Sequence, residues 1–313
     1  MTVVAAASLA AKPPQQTVFS TRTDLVLAHA TVLDSKGQMV KGLTSGDFVV
    51  KDNGVVVEAE FATADNVPLA VGIIMNREVL FYGEPRDNTV VSALRDMVAV
   101  LGPDDVIGMS NVRGLEHEMV LSRDPWAMVN AIRWDDAALR GTGIFRDPAR
   151  SPWDALAAAA KALALWPGRR AILFVAGSED WNTKYRYDTN PRAGLGAPDE
   201  VVARRPEPKP TVSTNDVEKT IERLGILLQV VRYDGGYDTD VDRLAKVAGG
   251  TTHKFGVREP LASRVNEIVE RVRGSYLVSF KPARLDGKTH KLEIRTVRAD
   301  LKVIGRTEYR AAR

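Results

Sequence analysis

Seven apolar residues, Leu69-Ala-Val-Gly-Ile-Ile-Met75, break abruptly into the polar triplet Asn76-Arg77-Glu78. An apolar run of this length does not alternate, so it cannot have one wet face. It reads as a strand buried on both sides, at the centre of a parallel sheet. In open α/β sheets ligands bind outside the carboxyl ends of such strands. The stretch 76–80 is therefore the first place to look for function.

A second run of the same kind, Ala171-Ile-Leu-Phe-Val-Ala176, and another strand over 226–231 lie further along the chain. Between these runs the pattern turns helical. The segment 87–101 carries apolar residues at Val90, Val91, Leu94, Met97 and Val98, which share one helix face. Further helices are expected over 125–134, over 153–166, opened by Pro152 and closed by Pro167-Gly168, over 216–224, capped by Ser213 or Thr214, over 240–247 and over 259–272. Strands are expected over 106–112, over 117–121 (antiparallel, from its close spacing) and over 251–255 at an edge. Helices and strands alternating at this spacing predict a Rossmann-like, doubly wound, mostly parallel sheet spanning 66–274.

The flanks read differently. Residues 17–65 predict antiparallel strands: an alternating strand up to Leu33, a short helical turn near Thr44, and a hairpin over 48–57 turned by Asn53-Gly54. After Gly274 the segments 276–281, 291–297 and 301–309 alternate in the same way. Each flank alone has too few strands to bury a core. The 17–65 and 275–313 segments are therefore expected to pack together as one small antiparallel β domain into which the α/β part is inserted.

The rest of the composition mainly excludes. The chain has 313 residues, no cysteine and four histidines. Disulfides, thiolate chemistry and iron–sulfur clusters are ruled out, and no local pair of histidines has metal-ligand spacing. The formal net charge of +3 is spread without a Lys/Arg block, so no nucleic-acid partner is expected. No stretch approaches the roughly 20 apolar residues of a membrane span. Residues 1–16 are alanine-rich up to Ala11 and then break at Lys12-Pro-Pro. They read either as the end of a signal peptide that lacks its basic start, implying export to the periplasm or outside, or as a disordered tail, compatible with the cytoplasm. The segment 181–210 is long, charged and rich in Pro and Gly, and is expected to be a mobile loop. Its Tyr185-Arg-Tyr187, with Trp134 and Trp181, has the composition of an interface.

Two patterns at the ends of the chain carry a resemblance. The first is Thr31-Val-Leu-Asp-Ser-Lys-Gly-Gln-Met-Val-Lys-Gly-Leu-Thr-Ser-Gly-Asp-Phe48, followed by Asp52-Asn-Gly54. The second is Ser275-Tyr-Leu-Val-Ser-Phe-Lys-Pro282, followed by Asp286-Gly-Lys-Thr-His-Lys-Leu-Glu-Ile294. Over about 17–311 the order of parts resembles the von Willebrand factor A-related proteins, in the long form described from acidobacteria. The resemblance implies a binding or adhesion module whose A domain carries a metal-ion-dependent adhesion site. That site takes Asp-x-Ser-x-Ser after the first strand, a Thr from a later loop and an Asp after the fourth strand. Here the first motif is replaced by Asn76-Arg77-Glu78-Val79-Leu80, the threonine position matches Thr142 in Gly141-Thr-Gly143, and the last aspartate position falls on Ala176 or Gly177. Ser178-Glu179-Asp180 keeps an acidic tail.

The expected reading is thus a von Willebrand A-like (vWA-like) protein-binding module with a degenerate site face of Asn76, Arg77, Glu78, Thr142, Ser178 and Asp180. It works without a metal, has no cofactor, and takes a protein partner whose identity is open, as is the oligomeric state. Two alternatives stand beside it. One is a Mg²⁺- or Mn²⁺-dependent adhesion module built from Glu78, Thr142 and Asp180. The other is a serine hydrolase using Ser178 with His253 and Asp238 or Asp240, although His253 itself reads as an exposed strand residue.

Overall fold

A computed structural model describes residues 25–62, 67–75, 89–111, 119–124, 126, 151–176, 210–233, 240–255 and 261–312. The central run forms β5 (Leu69–Met75), with β6 (Val106–Asn111) on one side and β7 (Arg169–Ala176) on the other. Beyond β7 follow β8 (Leu227–Tyr233) and β9 (Thr252–Phe255). The order is β6-β5-β7-β8-β9 and every pairing is parallel. Of the expected short strand over 117–121, residues 117 and 118 lie outside the described residues; at 119–122 the chain makes one antiparallel bridge, Ile107 to Ser122, beside β6.

Helices cover both faces. Alternate residues of β5 point to opposite sides: Leu69, Val71 and Ile73 enter one core, Ala70 and Ile74 the other. The first core is closed by α1 (Thr89–Val100) and by a later helix, α5 (Leu261–Gly274). The second is closed by α2 (Pro152–Ala164), α3 (Thr214–Arg223) and α4 (Asp240–Val247). At two of the expected helix starts a serine caps the helix as capping physics requires. Ser151 accepts the Trp153 N–H at 3.3 Å in front of Pro152, and Ser213 accepts the Asp216 N–H at 3.3 Å.

The flanking segments form two four-stranded antiparallel sheets. In the first, β10 (Tyr276–Phe280) lies between β1 (Val26–Leu33) and β4 (Ala59–Ala62), and β12 (Lys302–Gly305) pairs with the other edge of β1. In the second, β11 (Thr289–Thr296) lies between β2 (Phe48–Asp52) and β13 (Glu308–Arg310), and β2 turns through Asn53-Gly54 into β3 (Val55–Val57). Both turn residues have positive φ, 47° and 86°, as a tight hairpin demands. The inner faces meet in one core that includes Val32, Val50, Val278 and Ile294.

One expected strand is two. The 301–309 segment reads as continuous alternation, but the chain leaves the first sheet after Gly305 and enters the second at Glu308. The crossing turns on Arg306, buried at 4% exposure, whose Nη1 donates to the carbonyls of Leu27 and Glu222 at 3.3 and 3.1 Å. A long-range contact of this kind leaves no local trace in the sequence.

The two parts meet at the amino edge of the parallel sheet, where buried arginines answer helix carbonyls. Arg169 Nη1 donates to Val272 O at 2.9 Å and Arg273 O at 3.2 Å, at the end of α5. Arg170 Nε donates to Leu163 O and Trp166 O, and its Nη1 to Leu224 O, at the ends of α2 and α3. The last carbonyls of a helix lack intrahelical partners and carry its negative pole, so cations belong there. The opposite, carboxyl edge is thereby left for function. Among the described residues no helix is long and apolar enough to cross a membrane.

Candidate functional site

The carboxyl edge is set by five strand ends. Met75 pairs with Val175 on one side and with Asn111 on the other, and Ala176 pairs with Arg232. The ends of β5 and β7 are therefore neighbours, about 4.8 Å apart across the ladder. The chain leaving β5 reaches α1, on the first face of the sheet. The chain leaving β7 reaches α3, on the second. Connections that part to opposite faces from adjacent strands define the topological switch point of a doubly wound sheet, where a crevice opens for ligand.

The two segments singled out from sequence begin at these two ends. Asn76, Arg77 and Glu78 follow Met75, while Ser178 and Asp180 follow Ala176 by two and four positions. These five residues and Thr142 lie outside the described residues, as do Leu80, Asp238, Trp134, Trp181 and all of the 181–210 segment but its last residue.

The donor set can be weighed by its chemistry. A Mg²⁺ site needs near-octahedral hard oxygens. At the positions the resemblance marks for ligands, Asn76 offers a neutral amide oxygen, Leu80 none, and Ala176 or Gly177 none, while Arg77 brings a cation. Glu78 and Thr142, at two further marked positions, and the nearby Asp180 bring the remaining side-chain oxygens. Among the described residues no group of three His, Asp or Glu side chains is placed to hold one.

Beside the β7 end the edge carries a buried ion pair that the sequence reading missed. Arg232 Nη1 lies 3.8 Å from Asp242 Oδ2, with both side chains at 5% exposure or less. Thr252 Oγ1 donates to Asp242 Oδ1 at 2.6 Å. The pair ties β8 to the first turn of α4, and thus sets the wall next to the β7 exit. The available signal was Arg232 itself, a cation in the same strand as the buried Leu227, Leu228, Val230 and Val231.

His253 is not the exposed strand residue expected. It is half-buried on β9, and its Nε2 lies 2.7 Å from Thr251 Oγ1. Burial, followed by the nearby Arg271 and Arg264 charges, lowers its pKa, against the pull of Glu267. The hydrolase alternative needs this ring to serve Ser178. Its Nε2 is instead engaged by Thr251, and the ring stands in register with Val231, two strands away from the β7 exit. Asp240 begins α4 as an exposed residue. Trp153 is buried against the second core, Trp166 is half-buried with its indole N–H directed at Pro68 O, and Trp126 is exposed.

No family model matches the sequence, and no curated relative does. Solved structures align with the chain only loosely. Human COPII-coat protein Sec24c aligns with a TM-score of 0.44 at 9% identity over 83% of this chain and 46% of its own, so this chain spans about half of that one. A von Willebrand factor type A protein from Catenulispora acidiphila aligns with a TM-score of 0.42 at 10% identity, over 94% of this chain and 75% of its own. The vWF domain of the type V pili tip protein Mfa5 from Porphyromonas gingivalis gives 0.41 at 10% identity, over 67% and 96%. By its own sheets the chain is a doubly wound, parallel α/β protein carrying an antiparallel sandwich. The likeness is one of fold alone.

Proposed function

We propose that the chain is a non-enzymatic interaction module. Its binding surface is the carboxyl edge at the β5 and β7 exits, and it takes a protein partner without a resident metal ion. The observation that carries this reading is the adjacency of those two exits, with connections parting to opposite faces. The residues that follow the exits, Asn76, Arg77 and Glu78 on one and Ser178 and Asp180 on the other, with Thr142 from a later loop, supply both signs of charge and neutral polar groups. Such a mixture suits the recognition of a polar protein surface more than the binding of one small ion. The alanine-rich Thr2–Ala11 stretch supports an exported protein.

The test is capture of partners from the native organism's envelope fraction on immobilised protein. Wild type should retain a partner in the presence of chelator. The triple variant Arg77→Ala/Glu78→Ala/Asp180→Ala should lose it with unchanged thermal unfolding, whereas the distant Arg298→Ala should keep it. Equal retention by the triple variant would place the binding surface elsewhere.

A further inference from the structure

A cavity of about 240 Å³ lies on the other side of the molecule, between the last turn of α3, the start of β1 and the chain leaving β13. Lys219, Arg223, Arg306 and Arg310 line it, against Glu222 as the one carboxylate among its lining residues. The remaining wall is largely apolar, with Val26, Pro282 and the ring of Tyr309.

Arg306 is the unusual member. Its Nη1 is engaged by the Leu27 and Glu222 carbonyls, but its buried Nε and Nη2 have no hydrogen-bond partner among the described residues. Burial lowers its pKa, against the pull of the Glu222 and Glu308 charges. A buried guanidinium with open N–H groups is costly unless something answers them. Capping α3 requires only Nη1. The two open nitrogens form the side-on edge of the guanidinium, whose parallel N–H bonds match the two oxygens of one carboxylate.

We propose that this cavity binds a small organic carboxylate with a short apolar body. The carboxylate forks onto Arg306, Arg223 and Arg310 attract it at the rim, and the body rests against Tyr309 and Pro282. Nε and Nη2 are closed to water in the free protein, so the proposed mode requires the Arg306 end group to turn toward the cavity. The volume lies just below the roughly 300–1,000 Å³ of sites for drug-sized molecules, which sets the scale at a short-chain acid or the last residue of a peptide. The site is independent of the carboxyl-edge surface.

The experiment is ligand-observed NMR titration of the full chain with hexanoate and with acetyl-alanyl-leucine. Hexanol, the leucine peptide's amide and inorganic phosphate serve as comparators. At least one of the two carboxylates should bind with a Kd of about 1 mM or tighter, and whichever binds tells a free acid from a chain terminus. Arg306→Lys keeps the charge but loses the fork, and should weaken binding about tenfold or more. The rim variant Arg223→Ala/Arg310→Ala touches only exposed side chains and should weaken it several-fold. The proposal is overturned if neither carboxylate binds, if hexanol or the amide binds equally, if phosphate binds as tightly, or if the folded rim variant binds like wild type.

Discussion

Arg169 and Arg170, consecutive at the start of β7, reach to opposite faces of the parallel sheet and answer the carbonyl ends of different helices. Arg169 serves α5, where the first core closes; Arg170 serves α2 and α3 over the second. The two-residue period of a strand makes this possible, since neighbours point to opposite sides. One dipeptide thus holds both helix layers at the amino edge.

Replacement of Arg169 by Met should be expensive. It removes the bonds to Val67 O, Val272 O and Arg273 O and leaves these carbonyls at a buried junction. Each unanswered buried acceptor costs about 1–3 kcal/mol, so a loss of roughly 3 kcal/mol or more is expected. Urea unfolding of the pure variant measures it. A loss below about 1 kcal/mol would mean that water replaces the guanidinium there and that the arginine is not structural.

Acid should act through His29. The ring is buried on β1, with its Nδ1 3.3 Å from Ser275 Oγ. Burial first, then the charges of Arg169, Arg306 and Arg170, push its pKa down from 6.5 to about 3. The folded state thus refuses a proton that the unfolded state accepts below pH 6.5. Stability from this group is complete above the unfolded value and is lost as the pH falls toward the folded one, at up to about 1.4 kcal/mol per pH unit. Unfolding free energies of wild type and His29→Gln, measured between these two pKa values, should diverge by about that slope. Parallel curves would show that His29 is charged in the folded protein.

Gly250 marks a point where backbone meets backbone. A Cβ there would stand 1.8 Å from Leu228 O, between β8 and the start of β9. Only separation of the two strands relieves that overlap, so Gly250→Ala should cost about 3 kcal/mol. Gly46→Ala is the control. Its Cβ would meet only Thr44 Oγ1 at 3.8 Å, and its change should stay within about 0.5 kcal/mol. Similar values for the two would refute the close approach.

What the sequence made legible is what short-range physics decides. Asn53-Gly54 announces its hairpin, Thr44 and Asp47 close a capping box on the short turn, and the Leu69–Met75 run declares a central strand by its lack of alternation. The break at 305–308 was hidden because its cause, Arg306 reaching Leu27 and Glu222, spans hundreds of residues in one contact and dozens in the other. The Asp52–His290 contact at 2.7 Å, with Tyr309 Oη 3.2 Å from the same ring nitrogen, is equally remote in sequence. Of the site, the positions could be read because they follow strand ends. Arg232 stood out as a cation in an apolar strand, but its pairing could not be read, because its partner Asp242 belongs to the next helix and only the fold brings them together.

The last prediction concerns the ion that the resemblance implies. At the two exits the chain offers Asn76, a cation at Arg77, Leu80 and a residue without oxygen at Ala176 or Gly177. Glu78, Thr142 and Asp180 are the oxygens left to a rival metal-dependent reading. A cation at a few ångströms opposes a divalent ion by about 1–4 kcal/mol per unit charge, enough to weaken a marginal site by one to several powers of ten. Thermal unfolding is therefore expected to be the same with excess chelator as with millimolar Mg²⁺ or Mn²⁺. The assay has the reach to detect a site if there is one: an ion at about 100 times its Kd stabilises the native state by about 2.7 kcal/mol. For a chain of this size that is a shift of several degrees. A reproducible upward shift that disappears in Glu78→Ala or Thr142→Ala would reject the metal-free reading and establish the adhesion-site alternative.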